Sequence, residues 1–321
     1  MKTVNVALLG FGVVGRGTYD AISENSKLIE KRYGVKVKVK RILEINDAII
    51  KASGLPKKLF TPDYNEILKD DSIQIVAEMM GGREPAASFM LAALKAGKNV
   101  VSSNKLALAE NLPKLKAAAK KSSVKLYYEA AVCGAIPVIT SIRDSLGING
   151  FKEIRGIVNG TSNFILTHML EGDMSYADAL ALAQKLGYAE KDPTADVEGI
   201  DSANKLCLLT ELCTGIYVAP SDIRRRGITK VSLDDLAKAK AENRKIKLIA
   251  RAKASKDGVK LSVKPELVSS DDILYNVDYV FNGVSLSCDF ADDIFLCGRG
   301  AGAKPTGSAV AGDIINIAKE L

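Results

Sequence analysis

Short apolar runs of strand length alternate with helical spacings through the first 140 residues. Val4 to Leu9 is an apolar run that ends on Gly10-Phe11-Gly12-Val13-Val14-Gly15, and apolar positions at helical spacing then continue from Val13 to about Tyr33, where Gly34 stops them. A second strand is expected over Val35 to Glu44. Thr61 before Pro62 reads as the N-cap and first-turn proline of a short helix ending near Lys69. Further strands are expected at Ile73 to Glu78, Asn99 to Ser102 and Val124 to Tyr128, with helices over Pro85 to Ala96, closed by Gly97, and Glu110 to Lys121. Strands separated by helices imply a parallel, doubly wound sheet with right-handed crossovers, and hence a first domain over residues 1–140.

From Phe151 the rhythm changes. A strand to Asn159 precedes helices at about Asn163 to Glu171, Ser175 to Leu186 and Asp201 to Thr214. Strand-like runs follow at Ile246 to Ala254, Val259 to Pro265, Tyr275 to Asn282 and Val284 to Phe290. These predict a mixed sheet in a second, α+β domain over residues 141–302, and a final helix covers about Ser308 to Lys319. A chain of 321 residues exceeds the size at which one core stops growing, so two domains are expected.

Composition narrows the function. Hydrophobic residues make up 47% and charged residues 26%, so the whole chain reads as folded. No apolar run approaches the roughly 18 residues of a membrane span, and the opening run meets a glycine turn instead of a cleavage site, so a cytoplasmic protein with no membrane partner is expected. Cys133, Cys207, Cys213, Cys288 and Cys297 form no C-x-x-C pair and lie among apolar neighbours, as buried thiols of a reducing compartment do. The net charge of +7 comes from basic residues interspersed with acids. The densest cluster, Arg224 to Arg226, has no interleaved aromatics and reads as a solvated surface turn, which argues against nucleic acid.

Gly10 to Gly15 is a G-x-G-x-x-G turn between a strand and a helix. Gly10 allows the tight turn, Gly12 lets a pyrophosphate approach the backbone, and Gly15 lets the helix lie close to its strand; Phe11, Val13 and Val14 complete the turn. Helix-terminal N–H groups then face the phosphates. Ser102, Ser103 and Lys105 lie at the carboxyl end of a parallel strand, where ligands of doubly wound folds sit. The other unusual stretch is Gly187 to Lys205, dense in carboxylates and placed between two helices. Within it Asp201 and Lys205 are four apart and share a helix face, so they can pair. The chain has one histidine, His168, set at helical spacing and read as a packing or surface residue; a held lysine is then the natural acid–base group.

Taken in order, these segments resemble homoserine dehydrogenase over nearly the whole chain. The matching segments are Gly10 to Gly15, Asn104 to Ala109, Tyr128 to Pro137, Asn159 to Asn163, Gly187 to Lys205 and Gly298 to Thr306. The resemblance implies that a nicotinamide cofactor, NAD or NADP, exchanges hydride with homoserine or aspartate semialdehyde in threonine and methionine biosynthesis. It implies that Lys205 exchanges a proton with the substrate oxygen, that Asp201 supports it, and that Lys105 contacts substrate near the reacting centre. Glu190 and Asp196 would face the substrate ammonium, with Gly160, Thr161 and Tyr188 lining the same pocket and Gly302 in the loop returning to the nicotinamide. It further implies a structural Na+ or K+ held chiefly by carbonyls near Glu129, Val132, Gly134 and Ile136, a homodimer built by the second domain, and a final helix at about 303–321 packed back on the first. Many bacterial relatives carry a regulatory domain after the late Pro-Thr segment; this chain stops at Leu321, so no effector domain is expected.

Two rival readings remain at this point. Cys133 could serve a phosphorylating semialdehyde dehydrogenase, although that chemistry wants a histidine base that His168 is poorly placed to supply. A nicotinamide-sensing module without turnover is the other, and the lysine–carboxylate pair argues against it. Between the cofactors, Glu44 at the end of the second strand favours NAD, because a carboxylate can accept from a ribose 2′-hydroxyl and would oppose a 2′-phosphate.

Overall fold

The computed structural model describes residues 2–321, which divide into two compact units, one up to Ala135 together with Ala301–Leu321 and the other Ile136–Gly300. Elements are numbered in chain order. The first unit contains β1 (Lys2–Leu9), α1 (Val13–Glu24), α2 (Ser26–Tyr33), β2 (Val35–Leu43), α3 (Asp47–Ser53), β3 (Phe60–Thr61), α4 (Tyr64–Leu68), β4 (Ile73–Glu78), α5 (Ala86–Lys95), β5 (Asn99–Ser102), α6 (Lys105–Lys121), β6 (Leu126–Tyr127) and, from the far end of the chain, α13 (Ala303–Ala318). Its six strands are all parallel in the order β3-β2-β1-β4-β5-β6, the Rossmann order. The chain reverses its winding between β1 and β4. Val4, Val6, Leu8, Ile75 and Ala77 are buried in this sheet, as strands covered by helices on both faces require.

Glycine also explains how α13 joins this unit. A Cβ on Gly17 of α1 would lie 2.2 Å from the Ala303 carbonyl oxygen, and one on Gly307 would lie 2.5 Å from the Gly17 backbone. Only bare backbone on both helices permits that approach.

The local differences from the sequence pattern have local causes. The expected helix from Val13 to Tyr33 is broken at Asn25, which leaves helical geometry (φ −98°, ψ 12°) while its amide donates to the Ala21 carbonyl. Gly34 closes α2 in the left-handed conformation, as expected. Thr61 does not cap a helix: it pairs with Leu43 as part of β3, extended as a residue before proline prefers, and Asp63 caps α4 by accepting from the Asn65 N–H. Helix α6 begins at Lys105, not Glu110, because the Asn104 side chain caps it through the Ala107 N–H.

The second unit contains α7 (Val138–Thr140), β7 (Phe151–Ile157), α8 (Gly160–Glu171), α9 (Tyr176–Lys185), α10 (Thr194–Val197), α11 (Ile200–Thr214), β8 (Arg224–Arg225), α12 (Leu233–Ala241), β9 (Arg244–Ser255), β10 (Gly258–Ser269), β11 (Phe281–Cys288) and β12 (Asp293–Arg299). Its sheet runs β12-β11-β7-β9-β10-β8, antiparallel except for the β10–β8 pair, and so is mixed. Arg224 and Arg225 are therefore exposed residues of a short edge strand, where charge protects the edge, and not a simple turn. No strand runs over Tyr275 to Asn282 as a whole. Leu274 and Val277 are buried there in a looped segment whose carbonyls at Val277, Tyr279 and Phe281 are taken by the Asn163 amide, and strand geometry starts only at Phe281. Cys133, Cys207 and Cys288 are buried and Cys213 partly so, but Cys297 is exposed because β12 is an edge strand.

The same loop is anchored by a lysine in the interior. Lys247 is 1% exposed and donates to Asn163 Oδ1 at 3.1 Å, to the Val277 carbonyl at 2.8 Å and to Asp278 Oδ1 at 2.6 Å, while Lys245 holds the other oxygen of Asp278 at 2.7 Å. Burial pushes the Asp278 carboxyl up, but the two ammonium groups outweigh it and hold it below its ordinary value; burial keeps Lys247 below the ordinary lysine value. A depressed carboxyl contributes stability that is present above the unfolded value, about 4, and is lost as pH falls through the folded one. Asp278→Asn should therefore destabilise the protein by about 3 kcal/mol at neutral pH by stranding Lys247, and the difference from the parent should shrink as pH falls below about 4. Urea unfolding at pH 7 and at pH 3.5 checks both; equal midpoints at pH 7 would show that the ion pair contributes nothing.

Candidate functional site

In the first unit the glycine turn follows β1 directly. Gly10 has φ +89°, and a Cβ there would press on the Met79 carbonyl at 3.1 Å; one on Gly15 would lie 2.2 Å from the Gly10 carbonyl. A Cβ on Gly12 would meet nothing within 4 Å, so the turn is open to an incoming group at that residue. Helix α1 has no side-chain cap, which leaves its first N–H groups to a phosphate. The turn thus fits a dinucleotide. Val13 is exposed and Val14 packs on the core. Phe11 is buried edge-on against Tyr19 and Phe60, so it can meet a ligand only through its backbone.

Glu44 follows β2, and its carboxylate is already engaged. It accepts from the N–H groups of Phe11 (2.9 Å), Ile45 (3.0 Å) and Asn46 (2.9 Å), which places a negative charge at the glycine turn and still leaves acceptor capacity. Ser102 is buried, its hydroxyl donating to Glu78; the Ser103 N–H donates to the Glu78 carbonyl; Lys105 is the first residue of α6. Gly302 (φ +132°) sits at the start of α13. Glu78, which the sequence pattern does not single out, is fully buried at the end of β4.

In the second unit, Asn159 after β7 organises the acidic segment. Its side-chain oxygen caps α8 through the Ser162 N–H, while its amide donates to Asp196 Oδ1 at 2.7 Å and to Asp201 Oδ2 at 2.9 Å. Lys205 pairs with Asp201 at 2.7 Å and donates to the Val158 carbonyl at 2.7 Å, both residues being buried. Two carboxylates are thus gathered on one amide, and one of them holds the Lys205 ammonium in place. Thr161 donates to the Tyr188 carbonyl at 2.7 Å, tying the loop after α9 to α8. Gly160 comes so close to the Val280 carbonyl that a Cβ would lie 3.0 Å from it. Tyr188 and Glu190 lie exposed on that loop. The Asn-Gly-Thr sequence marks Asn159 as a helix cap; its second role is tertiary and leaves no local signal. His168 packs on Phe164 with ring centroids 4.2 Å apart and tilted planes and meets Tyr279 edge-on, a packing residue as read from its spacing.

In the segment where a monovalent cation is expected, Glu129 is buried, its N–H donates to Asp313 and its carbonyl accepts from Val132. Cys133 and Gly134 are consecutive residues of positive φ, and the Ile136 carbonyl accepts from Val138. Each of these two carbonyl oxygens keeps a second lone pair, the kind of hard donor a monovalent ion takes. Among the described residues no group of three or more His, Cys, Asp or Glu side chains could hold a metal, and no helix is long and apolar enough to cross a membrane. Cys133 is itself fully buried, a poor position for a nucleophile.

Comparison with known proteins agrees with this layout. The NAD-binding-domain model of homoserine dehydrogenase matches residues 10–129, which makes the chain an oxidoreductase with a nicotinamide-nucleotide domain of Rossmann type. The homoserine dehydrogenase model matches residues 137–315. Homoserine dehydrogenase of Lactococcus lactis is 39% identical over 320 residues, covering 99% of this chain and 74% of that protein. The crystal structure of a homoserine dehydrogenase from Thiobacillus denitrificans superposes with a TM-score of 0.95 at 37% identity, over 99% of this chain and 74% of that one. A hyperthermophilic archaeal homoserine dehydrogenase in complex with NADPH superposes at 0.85 with 28% identity, over 100% of this chain and 99% of that one. The chain belongs to the homoserine dehydrogenase family.

Gly15→Ala should displace the turn at a cost of about 1–3 kcal/mol, weakening nucleotide binding about tenfold or more. Gly12→Ala, which clashes with no protein atom, should leave thermal stability unchanged while still hindering the nucleotide. Fluorescence titration with reduced nucleotide decides, and parental affinity in Gly15→Ala would contradict the role given to the turn.

Proposed function

We propose that the chain interconverts L-homoserine and L-aspartate 4-semialdehyde with proton transfer through Lys205, in the biosynthesis of threonine and methionine. The observation that carries this reading is the buried Lys205–Asp201 pair held by Asn159 and the Val158 carbonyl. A nicotinamide nucleotide held at the Gly10 to Gly15 turn would supply the hydride for the aldehyde carbon in the reducing direction. The Lys205 ammonium gives its proton to the oxygen as negative charge develops there, and Asp201 keeps that ammonium oriented. In the oxidising direction the neutral amine takes the hydroxyl proton back. Asp196 and Glu190 offer carboxylates to the substrate ammonium, Lys105 a cation near the reacting oxygen, and Gly160, Thr161 and Tyr188 the wall of the pocket. Glu129, Val132, Gly134 and Ile136 would hold a structural Na+ or K+, and the active form is a homodimer, both by family resemblance.

Lys205→Ala should lower turnover by about 100-fold or more with little change in nucleotide affinity, measured by absorbance at 340 nm with homoserine and by nucleotide titration. Near-parental turnover would reduce Lys205 to a structural partner of Asp201.

NAD is the preferred nucleotide in this reading. Glu44 is bonded to the turn's own Phe11 N–H, so a 2′-phosphate arriving there would meet a fixed carboxylate, and the next residue, Ile45, supplies no positive charge. Arg41 donates through Nη1 to the Lys58 carbonyl at 3.1 Å. The ratio of kcat/KM with NAD to that with NADP at fixed homoserine should exceed one; a preference of about tenfold for NADP would overturn the assignment to Glu44.

A further inference from the structure

Glu78 is the last residue of β4, level with Leu9 at the end of β1 and Ser102 at the end of β5. That is the point where the winding of the sheet reverses, outside which ligands of this fold bind. Its carboxyl is 0% exposed and receives four donors: the Ser102 hydroxyl at 2.6 Å, the Met80 N–H at 2.8 Å, the Asn104 amide at 3.4 Å and the Gly81 N–H. Every one of these is neutral. Burial accordingly pushes the carboxyl above its ordinary value, and no lysine or arginine compensates it. An interior position that needed only filling would be met better by an apolar side chain, since an uncompensated buried carboxyl costs stability.

What the carboxyl achieves is geometric. Ser102 accepts from the Asn104 N–H at 3.0 Å, and the Asn104 amide also reaches the Gly82 carbonyl at 2.8 Å, across a turn in which Gly81 and Gly82 are both left-handed. The oxygen of Asn104 caps the first turn of α6, whose first residue is Lys105. Glu78 therefore ties the ends of β4 and β5, the 79–82 turn and the start of α6 into one network. We infer that Glu78 is a positioning residue of the reaction: through Ser102 and Asn104 it sets the helix turn that carries Lys105. The inference rests on the proposed function, in which Lys105 stands near the reacting oxygen.

Glu78→Gln keeps the shape but puts an NH2 where an acceptor was, so one of the neutral donors loses its partner. The expected result is a kcat about tenfold lower or more with homoserine and nucleotide both saturating, a nucleotide dissociation constant within about threefold of the parent, and an unchanged far-ultraviolet spectrum. Ser102→Ala removes the same bond from the other end and should lower kcat likewise. The double variant should be no slower than the worse single one, because both act on one path. A kcat at the parental level in both single variants, or losses that multiply in the double, would overturn the inference, as would a loss confined to nucleotide affinity. If Glu78→Gln does not fold, Ser102→Ala decides alone: a kcat loss with nucleotide affinity kept supports the inference and parental kcat overturns it. A parent protein that does not oxidise homoserine would instead overturn the proposed function.

Discussion

A lysine inside a protein must be kept charged, or kept ready to charge, by groups that replace its water, and the second unit is arranged around one such residue. Lys205 could not sit at the first turns of α11 without Asp201 one turn earlier and the Val158 carbonyl at the end of β7. Asp201 and Asp196 could not be brought together without the Asn159 amide between them. Removing any one partner leaves a buried charge exposed to a poor dielectric, so the group behaves as a unit. The order of β7, the Asn159 cap, α8 and the acidic segment before α11 follows from the need to converge on that ammonium.

The first unit meets the opposite requirement, since it must leave donors unsatisfied. The uncapped start of α1 and the open face at Gly12 leave N–H groups to water until an anion replaces it. The surrounding backbone is correspondingly well held. Glu44, just after β2, fixes Phe11, and Met79 donates back to Leu9, so the turn is held before any ligand arrives. Restraint of this kind lowers the ordering cost on binding.

Strands buried on both faces were the most legible elements, because an apolar run bounded by polar turns has few alternatives: β4 and β5 have the bounds that their sequence suggests. The glycine turn and the Asp201–Lys205 pair were legible too, one through backbone geometry and the other through helical spacing. Elements set by tertiary contacts were not. Tyr275 to Asn282 has strand-like composition, yet Asn163 and Lys247 claim its carbonyls. Strand β12 is a short apolar run before glycines that only its pairing with β11 makes a strand. Helix α12 does carry a signal, the Ser232–Asp235 capping box, ahead of a weakly amphipathic run. Asn159 and Glu78 act across loops on residues far away in sequence, and no spacing rule reports that.

The close approach of Gly17 and Gly307 has a consequence for how the polypeptide becomes a protein. Helix α1 leaves the ribosome almost three hundred residues before the helix against which it packs, with all of Ile136–Gly300 in between. Val310, Ile314 and Ile317 belong to the same hydrophobic cluster as β1, so the early sheet waits with that flank uncovered. The intervening unit, contiguous in sequence, can complete its own core first. The nucleotide-binding half therefore completes its core only after the intervening unit has been synthesised.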